Sequence, residues 1–228
     1  MTGVQTCALP ILRARIAEAG GASKVLGLYI EPVGERSGHV ITAAFVAALA
    51  KFRAETKIPV VFVETAGAYY RSGAGVFASS AWTKADSLPG GGHFVPDALV
   101  WWTGGQHGYV HVSAPLFVAT PLTFVSTWDG DELSMIQSHH ALRAARKEDV
   151  AGLAAKLDAA LVAFTQRHGG TLRGAGLHRV IDAGNNADPL VTVLRNAGIS
   201  VRATPGGCIT VRPTFDAVHA FVSALNRP

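Results

Sequence analysis

A chain of 228 residues with 49% hydrophobic and 16% charged side chains carries enough apolar surface to bury the core of one or two domains, which excludes a disordered segment. Its formal net charge of +4 is dispersed, with Arg143, Arg146 and Lys147 standing beside Glu148 and Asp149, so it holds no basic block of the kind that tracks nucleic acid. No apolar run reaches the roughly 18 residues of a membrane helix. Of the two cysteines, Cys7 and Cys208, the first falls in an anomalous N-terminus, and Cys208 alone makes no internal disulfide, which predicts a reducing cytoplasm.

The chain opens MTGVQTCALPIL. A signal peptide needs cations before its apolar run, and here the first, Arg13, comes after a run that is too short. TGVQTCALPI instead resembles the in-frame translation of a short-read sequencing adapter. Residues 1–11 are therefore expected to stand outside the fold, with the natural upstream sequence missing.

From there the elements follow in order. Residues 24–32, KVLGLYIEP, form a short apolar run closed by Pro32, the pattern of a buried parallel strand. Residues 39–57 carry apolar side chains at helical spacing and end in Lys57; residues 58–64, IPVVFVE, read as a second buried strand. A loop rich in Gly, Ser and Tyr spans 65–80, and Asp97 introduces a third strand over 98–102. This alternation predicts an α/β fold with a mainly parallel sheet. After Asp129 the pattern changes. Residues 131–170 read as one long helix, with Glu148 as the place for a kink and Gly169–Gly170 as its stop. A strand near 177–181, a helix near 190–196, strands at 199–203 and 209–211 and a last helix from about 215 complete a small α+β domain. The expected division is 12–129 and 130–228.

In this order the segments resemble the C-terminal half of class III aminotransferases, enzymes of the fold-type-I scaffold that use pyridoxal phosphate, and the lysine 6-aminotransferase branch most of all. YIEP (29–32), VFVETAGAYYRSG (61–73), PDALVWWTGGQHG (96–108), VSTWDGD (125–131), RGAGL (173–177) and VRPTF (211–215) stand where that family has its landmarks. The resemblance implies a large cofactor domain, a small C-terminal domain and a dimer. It also implies amino-group transfer from an amino acid to a 2-oxo acid.

The residues that carry that chemistry are replaced. A Schiff base needs an amine, and the family's lysine position is Thr103; Lys84, the nearest other lysine, sits in a surface loop. The carboxylate that keeps the pyridine nitrogen protonated falls at Val63, and the Gln that meets the phenolic oxygen at Ala66. Glu64 carries a carboxylate one residue on and is a candidate cofactor contact, but adjacent strand residues face opposite ways. Thr127 matches a threonine that binds the cofactor phosphate of the neighbouring subunit, and serves equally as a helix N-cap. Arg212 matches the arginine that takes a substrate carboxylate, although an ungapped alignment puts Thr210 there. No metal site is expected: His107, His111 and the His139–His140 pair lack partners at ligand spacing. GGGH (90–93) and GGQHG (104–108) lack the Lys-Ser/Thr of a P-loop.

The expectation is a catalytically degenerate aminotransferase-fold chain that forms a homodimer or pairs with an active subunit. Two alternatives stand beside it: an active enzyme with its lysine elsewhere, and a non-catalytic binding module.

Overall fold

The computed structural model describes residues 8–102, 108–120 and 131–226. Thr103, His107 and Thr127 lie outside the described residues. The chain divides into two units, one comprising residues 1–32, 41–65 and 79–140, the other 33–40, 66–78 and 141–228. Two segments assigned from sequence to the N-terminal domain thus cluster with the C-terminal one. Their packing explains it. Leu177 donates its N–H to the Arg71 carbonyl at 2.8 Å, and Gly38 lies so close to β6 (His178–Asp182) that an added Cβ would stand 2.8 Å from that of Val180.

The first unit is built on a four-stranded sheet of β1 (Leu28–Ile30), β2 (Val60–Val63), β3 (Ala98–Trp102) and β4 (Gly108–Val112), in that spatial order. The first three strands run parallel, with Leu28 opposite Val60 and Val61 opposite Ala98; β4 returns antiparallel, with Trp102 opposite Gly108. The expected parallel sheet is present, and β4 is an addition to it. Helix α2 (Ala43–Thr56) starts where the Thr42 hydroxyl accepts from the Phe45 N–H at 3.2 Å and stops at Lys57, which is left-handed at φ 59°. Its buried face (Val46, Leu49, Phe52) packs with Val60, Phe62, Trp82 and Phe94.

Residues 8–11, expected to be inert, form the first turn of α1 (Ala8–Glu18). Leu9, Leu12 and Ile16 recur at i, i+3 and i+7, which puts them on one helix face; all three pack against the core. Pro10 sits in the first turn, where its missing N–H costs nothing.

The second unit pairs helices with an antiparallel sheet. The single helix expected over 131–170 is two, α3 (Glu132–Ala145), whose residues up to His140 cluster with the first unit, and α4 (Val150–His168). The break has a local cause: Asp149 leaves helical geometry, and its carboxylate accepts from the Gly152 N–H at 3.0 Å, starting α4 afresh. Beyond it, β5 (Thr171–Ala175), β6, β7 (Ala203–Thr204) and β8 (Cys208–Val211) lie in the order β5-β6-β8-β7. Helices α5 (Ala187–Asn196) and α6 (Val218–Leu225) complete the unit. The strand expected over 199–203 contracts to β7, and β5 was not foreseen. Leu157, Leu161, Phe164, Ile181, Leu194 and Ile209 form the centre of this core.

Candidate functional site

In open sheets with parallel strands, ligands collect at the carboxyl ends. Those ends of β2 and β3 carry Val63 and Trp102. Val63 is half-buried and stands opposite Val100, so an isopropyl group ends β2. Glu64, the next residue, is 1% exposed. Its N–H donates to the Val100 carbonyl at 2.8 Å, and its carboxylate accepts the Ser79 N–H at 2.7 Å. Past Trp102, which is exposed, the chain enters residues 103–107. On β3 and β4 the Trp101 and Tyr109 rings stack at 5.1 Å, and the Tyr109 hydroxyl meets the Ser138 hydroxyl at 2.6 Å.

The chain's amines can be counted in full. Its six lysines, Lys24, Lys51, Lys57, Lys84, Lys147 and Lys156, are all described, and all are exposed. An exposed ammonium is strongly hydrated and charged near neutral pH, whereas a lysine nucleophile is made by desolvation or a neighbouring cation.

In the second unit a separate group of polar side chains converges on Glu35. Arg212, at the C-terminal end of β8, pairs with its carboxylate at 3.3 Å. Thr210 donates its hydroxyl to the Glu35 carbonyl at 3.4 Å, and His178 Nε2 lies 3.1 Å from the same oxygen. Both candidates for the carboxylate-binding position, Arg212 and Thr210, therefore meet Glu35, Arg212 through the side chain and Thr210 through the backbone. Since a carbonyl only accepts, Nε2 carries the proton and Nδ1 a lone pair.

His178 is fully buried, and its Nδ1 has no partner among the described residues. Burial, followed by the Arg212 and Arg71 charges, pushes its pKa from 6.5 down to about 4. Half-buried Arg71 is itself lowered to about 10, by burial and then by Arg212. Ala66 is buried beside Val33 and Ala78.

Elsewhere, Lys84 lies in an exposed turn of the first unit. His139 and His140 are adjacent on α3 with rings 5.7 Å apart at 81°. No trio of metal-ligating side chains occurs among the described residues.

Arg71 and His178 were missed from sequence. The one signal for Arg71 was its place in VFVETAGAYYRSG. For His178 it was an imidazole opening a strand that continues with the apolar Val180 and Ile181.

The sequence matches no family model and no curated protein. Solved structures do resemble it. A transaminase from the marine bacterium Virgibacillus superposes with a TM-score of 0.76 at 18% identity over 97% of this chain and 56% of that one. An amine transaminase from an uncultivated Pseudomonas species, in its pyridoxal-phosphate-bound form, gives 0.75 at 22% identity over 97% and 55%. Acetylornithine aminotransferase from Elizabethkingia anophelis gives 0.71 at 19% over 94% and 58%. The chain has the α/β fold of these transaminases and spans a little over half of their length.

Proposed function

We propose that this chain is an aminotransferase scaffold that has lost covalent pyridoxal phosphate chemistry. The observation that carries the reading is the lysine count: all six lysines are exposed, and none belongs to the end of β3 or to the residues joining β3 to β4. Pyridoxal phosphate, when bound, supplies an electron sink for carbon–nitrogen chemistry. The residues here do not fit it. The position that would supply the amine is Thr103, the one that would face the ring nitrogen is Val63, and the nearby Glu64 carboxylate is engaged by Ser79.

The remaining assignments follow the resemblance. Arg212, held by Glu35, is the contact for the carboxylate of an amino acid or 2-oxo acid, and Thr127 a phosphate contact across a subunit interface. The chain pairs with a second copy or with an active subunit. The sequence landmarks favour the lysine 6-aminotransferase branch, and a cytoplasmic location fits the unpaired Cys208. No helix among the described residues is long and apolar enough to cross a membrane.

The test is borohydride reduction in the presence of pyridoxal phosphate, followed by peptide mass spectrometry. The expected result is low, scattered labelling of surface lysines. Stoichiometric pyridoxyl on one lysine, Lys84 included, overturns the reading in favour of an active enzyme.

A further inference from the structure

Residues 33–40 fold back on themselves and lie on the sheet of the second unit. The Gly34 N–H donates to the His39 carbonyl at 2.7 Å, the Gly38 N–H donates to the Gly34 carbonyl at 2.9 Å, and Val33 and Val40 form an antiparallel bridge. Gly38, left-handed at φ +64°, lies over the paired residues Arg173 and Val180 of β5 and β6, where a Cβ would stand 3.0 Å and 2.8 Å from theirs. Only a residue without a Cβ fits so close an approach.

The contacts that hold this loop down are mostly polar. Its buried apolar side chain is Val33, which packs with Ala66, Ala78 and Ala175, a small surface to remove from water. At one end His178 donates from Nε2 to the Glu35 carbonyl at 3.1 Å, and the Glu35 carboxylate meets Arg212 at 3.3 Å. At the other, the Arg173 guanidinium lies 3.3 Å from His39 Nε2 and pairs with Asp182 at 2.6 Å. A guanidinium only donates, so His39 Nε2 is the acceptor of a neutral ring. Exposed Arg36 stands at the turn between them.

His178 is the place where a proton does most harm. Its buried Nδ1 has no partner among the described residues, so protonation creates an unpaired donor and a charge without water. The charges acting on the ring are those of Arg212 on β8 and, more weakly, Arg71 in segment 66–78, with Glu35 on the loop. The backbone of Gly34 and Glu35 favours the proton, but burial first and then the arginines outweigh it. Strand β6 cannot carry the ring to solvent, because it is paired with β5 on one side and β8 on the other. The loop can move instead.

We propose that residues 33–40 are an acid-released clasp on the sheet of the second unit, with buried His178 as the sensor whose second proton is hydrated only when the loop lifts. His39 acts in the same direction, since a proton on Nε2 removes the acceptor and sets a cation against Arg173. Once lifted, the loop frays, because an isolated pair of short strands is marginal in water. The clasp is independent of any Schiff base, so it succeeds or fails separately from the function proposed above.

The sign follows from His178, which takes its proton at 6.5 when open and only near 4 when closed. Docking is intact above pH 6.5 and weakens as the pH falls toward 4. At pH 4.5 the open fraction should have risen by up to roughly 70-fold.

The experiment is NMR of the whole chain between pH 7.5 and 4.5. Exchange of the Gly34 and Gly38 amides, corrected for the intrinsic effect of pH, should quicken at least tenfold. The proton–proton contact between Gly38 and the Val180 methyls should fade over the same interval. The opening should be indifferent to low urea, unlike exchange in the interior of α4, because a local event exposes little surface. His178→Gln keeps a donor for the Glu35 carbonyl and should reduce the acid response at least fivefold; His39→Gln should reduce it less. Glu35→Gln, which removes the rival acid, should retain the response.

Unchanged exchange down to pH 4.5 overturns the proposal. So does exchange that follows urea as α4 does, a full response in His178→Gln, a larger loss in His39→Gln, or its disappearance in Glu35→Gln. Should His178→Gln fail to fold, the unaltered chain decides: the His178 ring signals must titrate over the interval in which the loop opens, and any other interval refutes the clasp.

Discussion

Asp97, at the threshold of β3, offers a measurable test of what sets the sheet that carries Val63 and Trp102. Its Oδ2 accepts the Val60 N–H at 2.9 Å, its Oδ1 takes the Arg53 guanidinium at 2.5 Å, and its own N–H and C=O bond Val60 and Ser113 at 2.8 Å. Asp97→Ala leaves the N–H of fully buried Val60 without an acceptor, a loss of about 1–3 kcal/mol. The ion pair adds less, about 0.5–1 kcal/mol, because the Arg53 side chain is 39% exposed.

The expected total for Asp97→Ala is about 1.5–4 kcal/mol. Asp97→Asn keeps an acceptor for Val60 and loses only the charge, so it should cost about 1 kcal/mol. Urea unfolding followed by tryptophan emission suits the measurement, since Trp82, Trp101 and Trp102 all belong to the first unit. A cycle with Arg53→Met isolates the pair. Equal costs for Ala and Asn, or an Ala cost under about 0.5 kcal/mol, the range of ordinary surface changes, would refute the reasoning.

Two further outcomes are expected. Because His178 falls from 6.5 to about 4 on folding, its contribution is complete above pH 6.5 and is lost as pH drops toward 4. The loss is up to about 3 kcal/mol, and His178→Gln should flatten that part of the stability profile; an unchanged slope in the variant counts against it. Deleting residues 2–11 removes Leu9 from the first core and should cost about 1 kcal/mol, roughly half of a fully buried leucine. An unchanged denaturation midpoint would return those residues to irrelevance.

The parts of the fold written in local pattern were legible. The runs VVFV and ALVWW announced β2 and β3, and the periodicity of residues 39–57 announced α2, because burial on both faces or along one stripe leaves a trace within a few residues. Residue 149 shows the limit. An Asp among Arg, Lys and Glu looks like a solvated charge, and only its bond to the Gly152 N–H reveals a cap. Strand β4 was hidden because Gly108 and its glycine-rich approach mask a short alternation, and α1 because its first turn, ALPI, falls inside the adapter-like stretch.

Val63, Glu64 and Arg212 are named by motif alone. Arg71 and His178 acquire meaning only through partners far away in the sequence, and no local pattern encodes such a meeting.

The interleaving of the two units has a consequence for how the molecule is made. The chain leaves the first unit after residue 32, returns at 41, leaves again after 65, returns at 79 and departs finally after 140. Contacts within the second unit accordingly close long loops: Glu35 and Arg212 are separated by 177 residues. Loop closure of that length must precede any reward from the contact, which slows folding. During synthesis the segments 33–40 and 66–78 emerge early and wait for β6 and β8 to follow. The grouping around Glu35 is therefore among the last features to form, and agents that intercept nascent chains will meet it unassembled.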